Sequence, residues 1–216
     1  KWHGNVVMAM TDLGGILDIL SSFRTAEGLL FDLYDNPDEV LRCVGEIQAM
    51  WFRFFDEITD IIKGETKGYS SWCGIYDPKP TYILQSDFCY MIGNDMFKTF
   101  VGPELKSSAE RLHRPFYHLD GIGELNHLDS ILDIDAFVGV QWVPGDGPNR
   151  DKDWSDVYKR ITDAGKKIYI WCEPERLGQL SKLVSGDMIY STGYTVNQAD
   201  LPAQLEALKK IGIENL

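Results

Sequence analysis

The sequence predicts an α/β protein built on a parallel sheet. Three observations carry this. Short apolar runs alternate with longer amphipathic stretches, the later runs recur at regular spacing, and nearly every run is followed by polar, ionisable or aromatic residues. Strands joined through helices run parallel, because the crossover returns the chain to the same end of the sheet. Two architectures satisfy the pattern, an open doubly wound sheet and a (β/α) barrel. No G-x-G-x-x-G follows the first apolar run, which weakens a dinucleotide-binding reading.

Val6-Val7-Met8-Ala9-Met10 reads as a buried first strand. Asn36-Pro37-Asp38-Glu39 is a helix start, with a capping Asn, Pro at the first helical position and acids in the first turn. Val40, Val44, Ile47, Trp51, Phe54 and Ile58 follow at helical spacing, and the helix is expected to end near Gly64. Residues 69–75 and 82–86 are extended candidates on either side of Asp77-Pro78-Lys79-Pro80, and one helix is expected over 94–113. Further strands are Pro115-Phe116-Tyr117-His118, Phe137-Val138-Gly139-Val140-Gln141-Trp142, Lys167-Ile168-Tyr169-Ile170-Trp171 and Met188-Ile189-Tyr190-Ser191. Helical stretches at 123–132, 154–164, 174–184 and 198–211 separate or follow them.

The chain has 216 residues, of which 44% are hydrophobic, enough for one sizeable core, and a single domain over 1–216 is expected. With 33 acidic against 21 basic residues the formal charge is −12, and no Lys/Arg-rich run occurs. Neither nucleic acid nor an anionic membrane is an expected partner for such a surface. Cys43, Cys73, Cys89 and Cys172 are scattered without C-x-x-C spacing, which fits free thiols in a reducing, cytoplasmic setting. The chain begins at Lys1 and enters an apolar run almost at once, so a piece of a longer protein is expected.

In a parallel barrel the active site is built from residues just after each strand. Those positions hold Asp12, then Ser86 and Asp87, then His118, Asp120 and Glu124, then Gln141, Trp142 and Asp146, then Cys172 and Glu173, and last Thr192 and Tyr194. His118 and Asp120 are the sharpest pair. Residues i and i+2 of a strand share a face, so both side chains enter one cavity. They would bind a divalent metal, or the imidazole would act as acid or base with the carboxylate orienting it. A hydrogen-bonded pair that caps the next helix is the competing reading, with Gly121 and Gly123 close behind. Glu124 reads more readily as a favourable charge in the first turn of its helix than as a third carboxylate in the cavity. Trp142 is either a stacking platform for a flat ligand or a core residue. Cys172-Glu173 reads as an inert Cys before a helix start.

Ile83-Leu84-Gln85-Ser86-Asp87-Phe88, Met91-Ile92, Met96-Phe97 and Phe100-Val101-Gly102-Pro103 together resemble the uroporphyrinogen decarboxylase superfamily. Phe116-Tyr117-His118-Leu119-Asp120-Gly121, Val140-Gln141-Trp142, the last two strand segments and Phe31-Asp32-Leu33-Tyr34-Asp35-Asn36-Pro37 extend the resemblance over most of the chain. It implies a (β/α)8 TIM barrel of which this chain carries about the last six βα units, lacking the N-terminal part. It also implies either a truncated product or completion by another copy, as in a homodimer, because a barrel missing strands leaves open edges.

The resemblance implies an enzyme. The superfamily contains a decarboxylase of carboxylated tetrapyrroles and corrinoid-dependent methyltransferases. Ser86 falls at a substrate-contacting serine of the decarboxylase, and Asp87 at an acid of many methyltransferase-like members. The methyltransferases carry His-x-Cys-Gly at the strand where this chain has His118-Leu119-Asp120-Gly121, and their His and Cys bind a thiol-activating zinc. A carboxylate is a harder ligand than the thiolate it replaces. The family's last-loop ligand position holds Gly193-Tyr194 here, with no Cys, and Tyr194 stands where the decarboxylase has a histidine. The expected function is a corrinoid-linked or small-molecule methyl transfer using His118, Asp120, Asp87 and Ser86. Asp12, Gln141, Trp142, Glu124 and Tyr194 would contact substrate, and zinc or another divalent metal would sit on His118 and Asp120. The partners implied are a small-molecule, tetrapyrrole or corrinoid substrate and a corrinoid protein. Decarboxylation of a uroporphyrinogen-type tetrapyrrole, needing no cofactor, is the alternative. A catalytically incompetent piece that retains a binding pocket or dimer surface is the third reading.

Overall fold

The computed structural model describes residues 7–145, 147–149, 152–171, 174–192, 197 and 199–210. Helices α1 (Ile16–Arg24), α2 (Ala26–Asp35) and α3 (Pro37–Ile62) come first. Pro37 opens α3 with Asp38 and Glu39 in its first turn, where unpaired N–H groups favour negative charge. The Asn36 side chain does not cap α3 as expected. Its amide donates to Asp32 at 3.2 Å instead, tying α3 back to α2. Val40, Val44, Trp51, Phe55 and Ile62 form the buried stripe of α3.

The expected first strand does not form. Ala9 makes one isolated parallel bridge to Ser70, Val7 and Met8 are exposed, and Val6 lies outside the described residues. The Met10 N–H donates to the Ser70 carbonyl at 2.6 Å beside this bridge. The run expected to be extended over 69–75 folds back on itself: β1 (Tyr69–Ser70) and β2 (Tyr76–Asp77) pair antiparallel. The reversal has Gly74 at φ 84°, left-handed backbone that glycine adopts without a side-chain clash.

Strands β3 (Ile83–Leu84), β4 (Phe116–Asp120), β5 (Gly139–Val143), β6 (Lys167–Trp171) and β7 (Ile189–Thr192) form one parallel sheet in the order β3-β4-β5-β6-β7. Each strand lies beside its neighbour in sequence. A doubly wound sheet reverses its strand order at a switch point, and no reversal occurs among the described strands. The arrangement is compatible with part of an α/β barrel.

Between β3 and β4 lie a 3-10 turn (Asp87–Met91), α4 (Asn94–Phe100) and α5 (Gly102–Arg111). The single helix expected over 94–113 is two helices. Pro103 sits in the first turn of α5 and cannot donate an N–H to a continuing helix. A second 3-10 segment (Ile122–His127) and α6 (Leu128–Leu132) follow β4. Helices α7 (Ser155–Asp163), α8 (Pro174–Leu183) and α9 (Leu201–Lys210) match the remaining helical expectations to within a few residues.

Alternation divides the sheet between two apolar clusters. Leu84, Tyr117, Leu119, Val140, Ile168 and Ile170 belong to the large core shared with the helices. Ile83, Phe116 and Tyr169 point the other way and pack on Cys73 and Ile75 of the hairpin. Burying a side chain such as Ile168, with no exposed surface, contributes about 2–3 kcal/mol. The hairpin is anchored at both ends of this second face. Tyr169 donates its hydroxyl hydrogen to the Cys73 carbonyl, and buried Asp77 meets His113 and Arg114 at 3.4 Å. Among the described residues, no helix is long and apolar enough to cross a membrane.

Candidate active site

His118 stands on β4, on the same sheet face as Phe116 and Asp120. Gln141 is its register partner on β5, and the Gln141 Oε1 lies 2.6 Å from His118 Nδ1. A carboxamide oxygen can only accept, so the hydrogen resides on Nδ1. In the neutral ring that leaves a lone pair on Nε2. Asp120 Oδ2 lies 3.7 Å from that nitrogen, too far for a hydrogen bond but close enough to steady a protonated ring. Trp72, at the hairpin, meets the imidazole edge-on with centroids 5.1 Å apart. His118 is therefore fixed on one nitrogen, walled by an indole and open on the other nitrogen toward a carboxylate.

Gly121 ends the strand with φ 83°, and a Cβ there would come within 3.1 Å of the Tyr90 ring. The same ring covers Gly123, where a Cβ would come within 2.7 Å. The glycines of this loop thus let Tyr90 lie over the turn that follows Asp120.

Asp87 opens the 3-10 turn after β3. Its charged neighbours are His118, Asp120 and Asp12, and partial burial with the two carboxylates outweighs the imidazole and raises its pKa. Asp18 of α1 accepts the Asp87 and Phe88 backbone N–H groups at 3.1 and 2.7 Å, so it sets the direction of this turn. Burial raises the Asp18 pKa, and these hydrogen bonds pull it part of the way back. Asp12 is exposed and accepts from the Tyr82 hydroxyl at 3.2 Å and from Gly14 N–H at 2.9 Å.

Glu124 departs most from expectation. It is not a solvated first-turn charge, for it is 1% exposed, and only the Asp120 backbone comes near enough to its carboxyl to oppose the effect of burial. Burial, reinforced by Asp87, Asp120 and Asp18, pushes its pKa up to about 9, so it is a neutral acid at pH 7. The Tyr117 hydroxyl and the Cys89 thiol are both raised mainly by burial, and Glu124 adds to each shift. The Ser86 hydroxyl turns toward the same thiol and has no oxygen or nitrogen partner.

The structure thus brings His118, Asp120 and Gln141 into contact, with Asp87, Glu124 and Asp12 in electrostatic reach. Trp142 does not join them. It faces the helices, 3% exposed and edge-on to Trp154 at 5.1 Å. Asp146, Cys172, Glu173 and Tyr194, together with the Thr192 side chain, lie outside the described residues. Asp18, Trp72 and Gln85 were not singled out from the sequence. Of these, only Gln85 carried a signal there. It lies two residues after Ile83, so alternation places it on the His118 face.

Among the described residues, no three His, Cys, Asp or Glu side chains converge as a metal-ligand set. Cys73 is a buried thiol beside Ser71 at 3.0 Å, and burial raises its pKa. Cys89 is likewise held as a thiol. The donors at His118 are imidazole and carboxylate, which do not fit a thiolate-rich, thiol-activating zinc centre. Comparison with protein-family models, curated proteins and solved structures gives no match.

Proposed function

We propose that this chain is a methyl-transfer enzyme of the uroporphyrinogen decarboxylase-superfamily type, its sheet an arc of a (β/α)8 barrel. One observation carries the reading: His118, locked through Nδ1 by Gln141, presents Nε2 to Asp120 at the carboxyl end of a parallel sheet. Sites of parallel α/β enzymes are built at that end.

In the proposed step a nucleophile Nu–H gives its proton to His118 Nε2 as its lone pair attacks the methyl carbon. The bond from methyl to donor breaks, and its electron pair leaves with the donor. Asp120 steadies the imidazolium, an attraction between about 1 kcal/mol in water and about 4 kcal/mol at an effective dielectric near 20. The half-exposed carboxylate favours the lower end of that range. A corrinoid, as substrate or carried by a partner protein, would supply the methyl group. No step is routed through a metal, because the donor set does not favour thiol activation.

Decarboxylation of an acidic tetrapyrrole finds less support. Its side chains would meet Asp87, Asp120 and Asp12, whose like charge repels them.

Incubation of the chain with methylcobalamin and a small thiol, followed by loss of the cobalt–methyl absorbance, tests the proposal. His118→Ala is expected to slow the reaction by about 100-fold or more, as loss of an acid–base group does. No turnover, or equal turnover in the variant, overturns it. Cobalt(II) loading followed by metal analysis tests the metal separately. A stoichiometric cobalt spectrum that His118→Ala abolishes would put a divalent ion back on His118 and Asp120.

A further inference from the structure

The 3-10 turn that follows β3 does not cap itself. Its opening N–H groups need acceptors from outside the turn. Ser86 occupies the capping position, yet its side chain makes no capping hydrogen bond. The cap comes from α1 instead. Asp18 Oδ2 accepts the Asp87 N–H at 3.1 Å, and Asp18 Oδ1 accepts the Phe88 N–H at 2.7 Å, across 69 and 70 positions of sequence. Both oxygens of one carboxylate are thus engaged by one turn. Hydrogen bonds from N–H groups to an ionised carboxylate are the stronger kind, roughly twice the neutral ones.

Gly15 is an independent sign of the same docking. It stands at the start of α1 and is buried, and a Cβ there would run into Asp18 Oδ2 and the Gln85 carbonyl oxygen. Its backbone is ordinary, at φ −80°, so space rather than conformation demands glycine. The start of α1 therefore lies directly against the chain leaving β3, and that close approach brings the Asp18 carboxylate to the turn.

No lysine or arginine stands among the described groups that act on Asp18. The N–H groups of Phe88, Asp87 and Gly15 favour its charge, against burial and the Asp87 carboxylate. What holds Asp18 in place is thus the turn itself, and the reverse is equally true.

We propose that Asp18 is a positioning residue: its carboxylate caps, from α1, the turn that carries Asp87, and so keeps Asp87 within reach of His118 and Asp120. The inference rests on the site reading above and adds to it a residue that touches no substrate.

Amide hydrogen exchange followed by NMR on the 216-residue chain tests this. Asp18→Ala is expected to speed exchange at the Asp87 and Phe88 amides by at least about tenfold, while β4, β5 and β6 stay protected. The Asp87 carboxyl, raised mainly by burial in the parent, should titrate closer to its ordinary value. Gly15→Ala keeps the Asp18 charge but forces α1 away from the chain leaving β3, and should reproduce both effects. Asp18→Asn keeps the shape and one acceptor oxygen, and should give a smaller change in the same direction even if the alanine variant fails to fold. Near-ultraviolet circular dichroism reports folding. Unchanged exchange at both amides in the Asp18 variants overturns the proposal. An Asp87 titration that moves with Asp18→Ala but not with Gly15→Ala also overturns it, because Asp18 would then act by charge alone. In the proposed methyl transfer, kcat should fall in Asp18→Asn with KM little changed. Exchange is read without turnover. Protected amides in the variants, with methyl transfer intact, overturn this inference alone; quickened amides in a chain that transfers no methyl group overturn the functional reading alone.

Discussion

Glu124→Gln is the substitution with the most specific consequence. Glu124 is buried, the nearby Asp120 backbone does not offset that burial, and its pKa is pushed up to about 9 from an ordinary value of 4.5. Between those values the folded chain keeps a proton that the unfolded chain has released. Raising the pH through this window therefore costs stability, by about 1.4 kcal/mol per pH unit for one group. From pH 5 to pH 8 the ceiling is about 4 kcal/mol, a large share of the roughly 5–15 kcal/mol that holds a domain together. Glu104, also buried, has a pKa near 8 and adds a slope of the same sign over a narrower window. Glutamine is neutral at every pH and nearly isosteric with the protonated acid. The variant should match the parent to within about 1–2 kcal/mol at pH 5, and should become the more stable of the two by pH 8. Urea unfolding followed by tryptophan fluorescence at pH 5, 6, 7 and 8 measures both slopes. A variant whose stability falls with pH as steeply as the parent's would refute the argument, because Glu124 would then ionise freely in the fold.

Three further outcomes follow from single contacts. Gln141→Leu removes the acceptor of His118 Nδ1–H. The ring loses its fixed tautomer, which nitrogen-15 NMR of the imidazole should register, and the proposed methyl transfer should fall in rate more than in substrate affinity. Lys166, only 5% exposed, donates to the Ile134 and Phe137 carbonyls at 2.9 Å each. Lys166→Met leaves both without that donor and should cost about 1–3 kcal/mol in urea unfolding. Tyr169→Phe removes the donor to the Cys73 carbonyl and the acceptor of the Trp171 indole N–H at 2.5 Å. Hydrogen exchange should quicken in the hairpin at 69–77 while the helices stay protected.

The sequence by itself determined what local periodicity encodes. β6 falls on the residues expected, α3 starts at Pro37, and the i, i+2 rule set His118 and Asp120 on one face. Strict neighbour order could not be read there, since βα alternation suits both an open sheet and a barrel arc. Only the tertiary structure shows that β3 through β7 pair in sequence order, as in an arc of an α/β barrel. Tertiary depth was equally hidden. Glu124 has the sequence signature of a solvated helix-start acid, yet it is buried in the folded chain, and burial makes it a neutral acid. Trp142, the residue after Gln141, faces the helices because alternation turned it away and Trp154 packs against it. Gly74 turns a segment expected to be extended into a hairpin that packs on the second face of the sheet and brings Trp72 against His118. Spacing within one segment is a local property. Which segment lies over a given face depends on contacts distant in sequence, and those contacts decide which carboxyl is dry and which imidazole nitrogen is free.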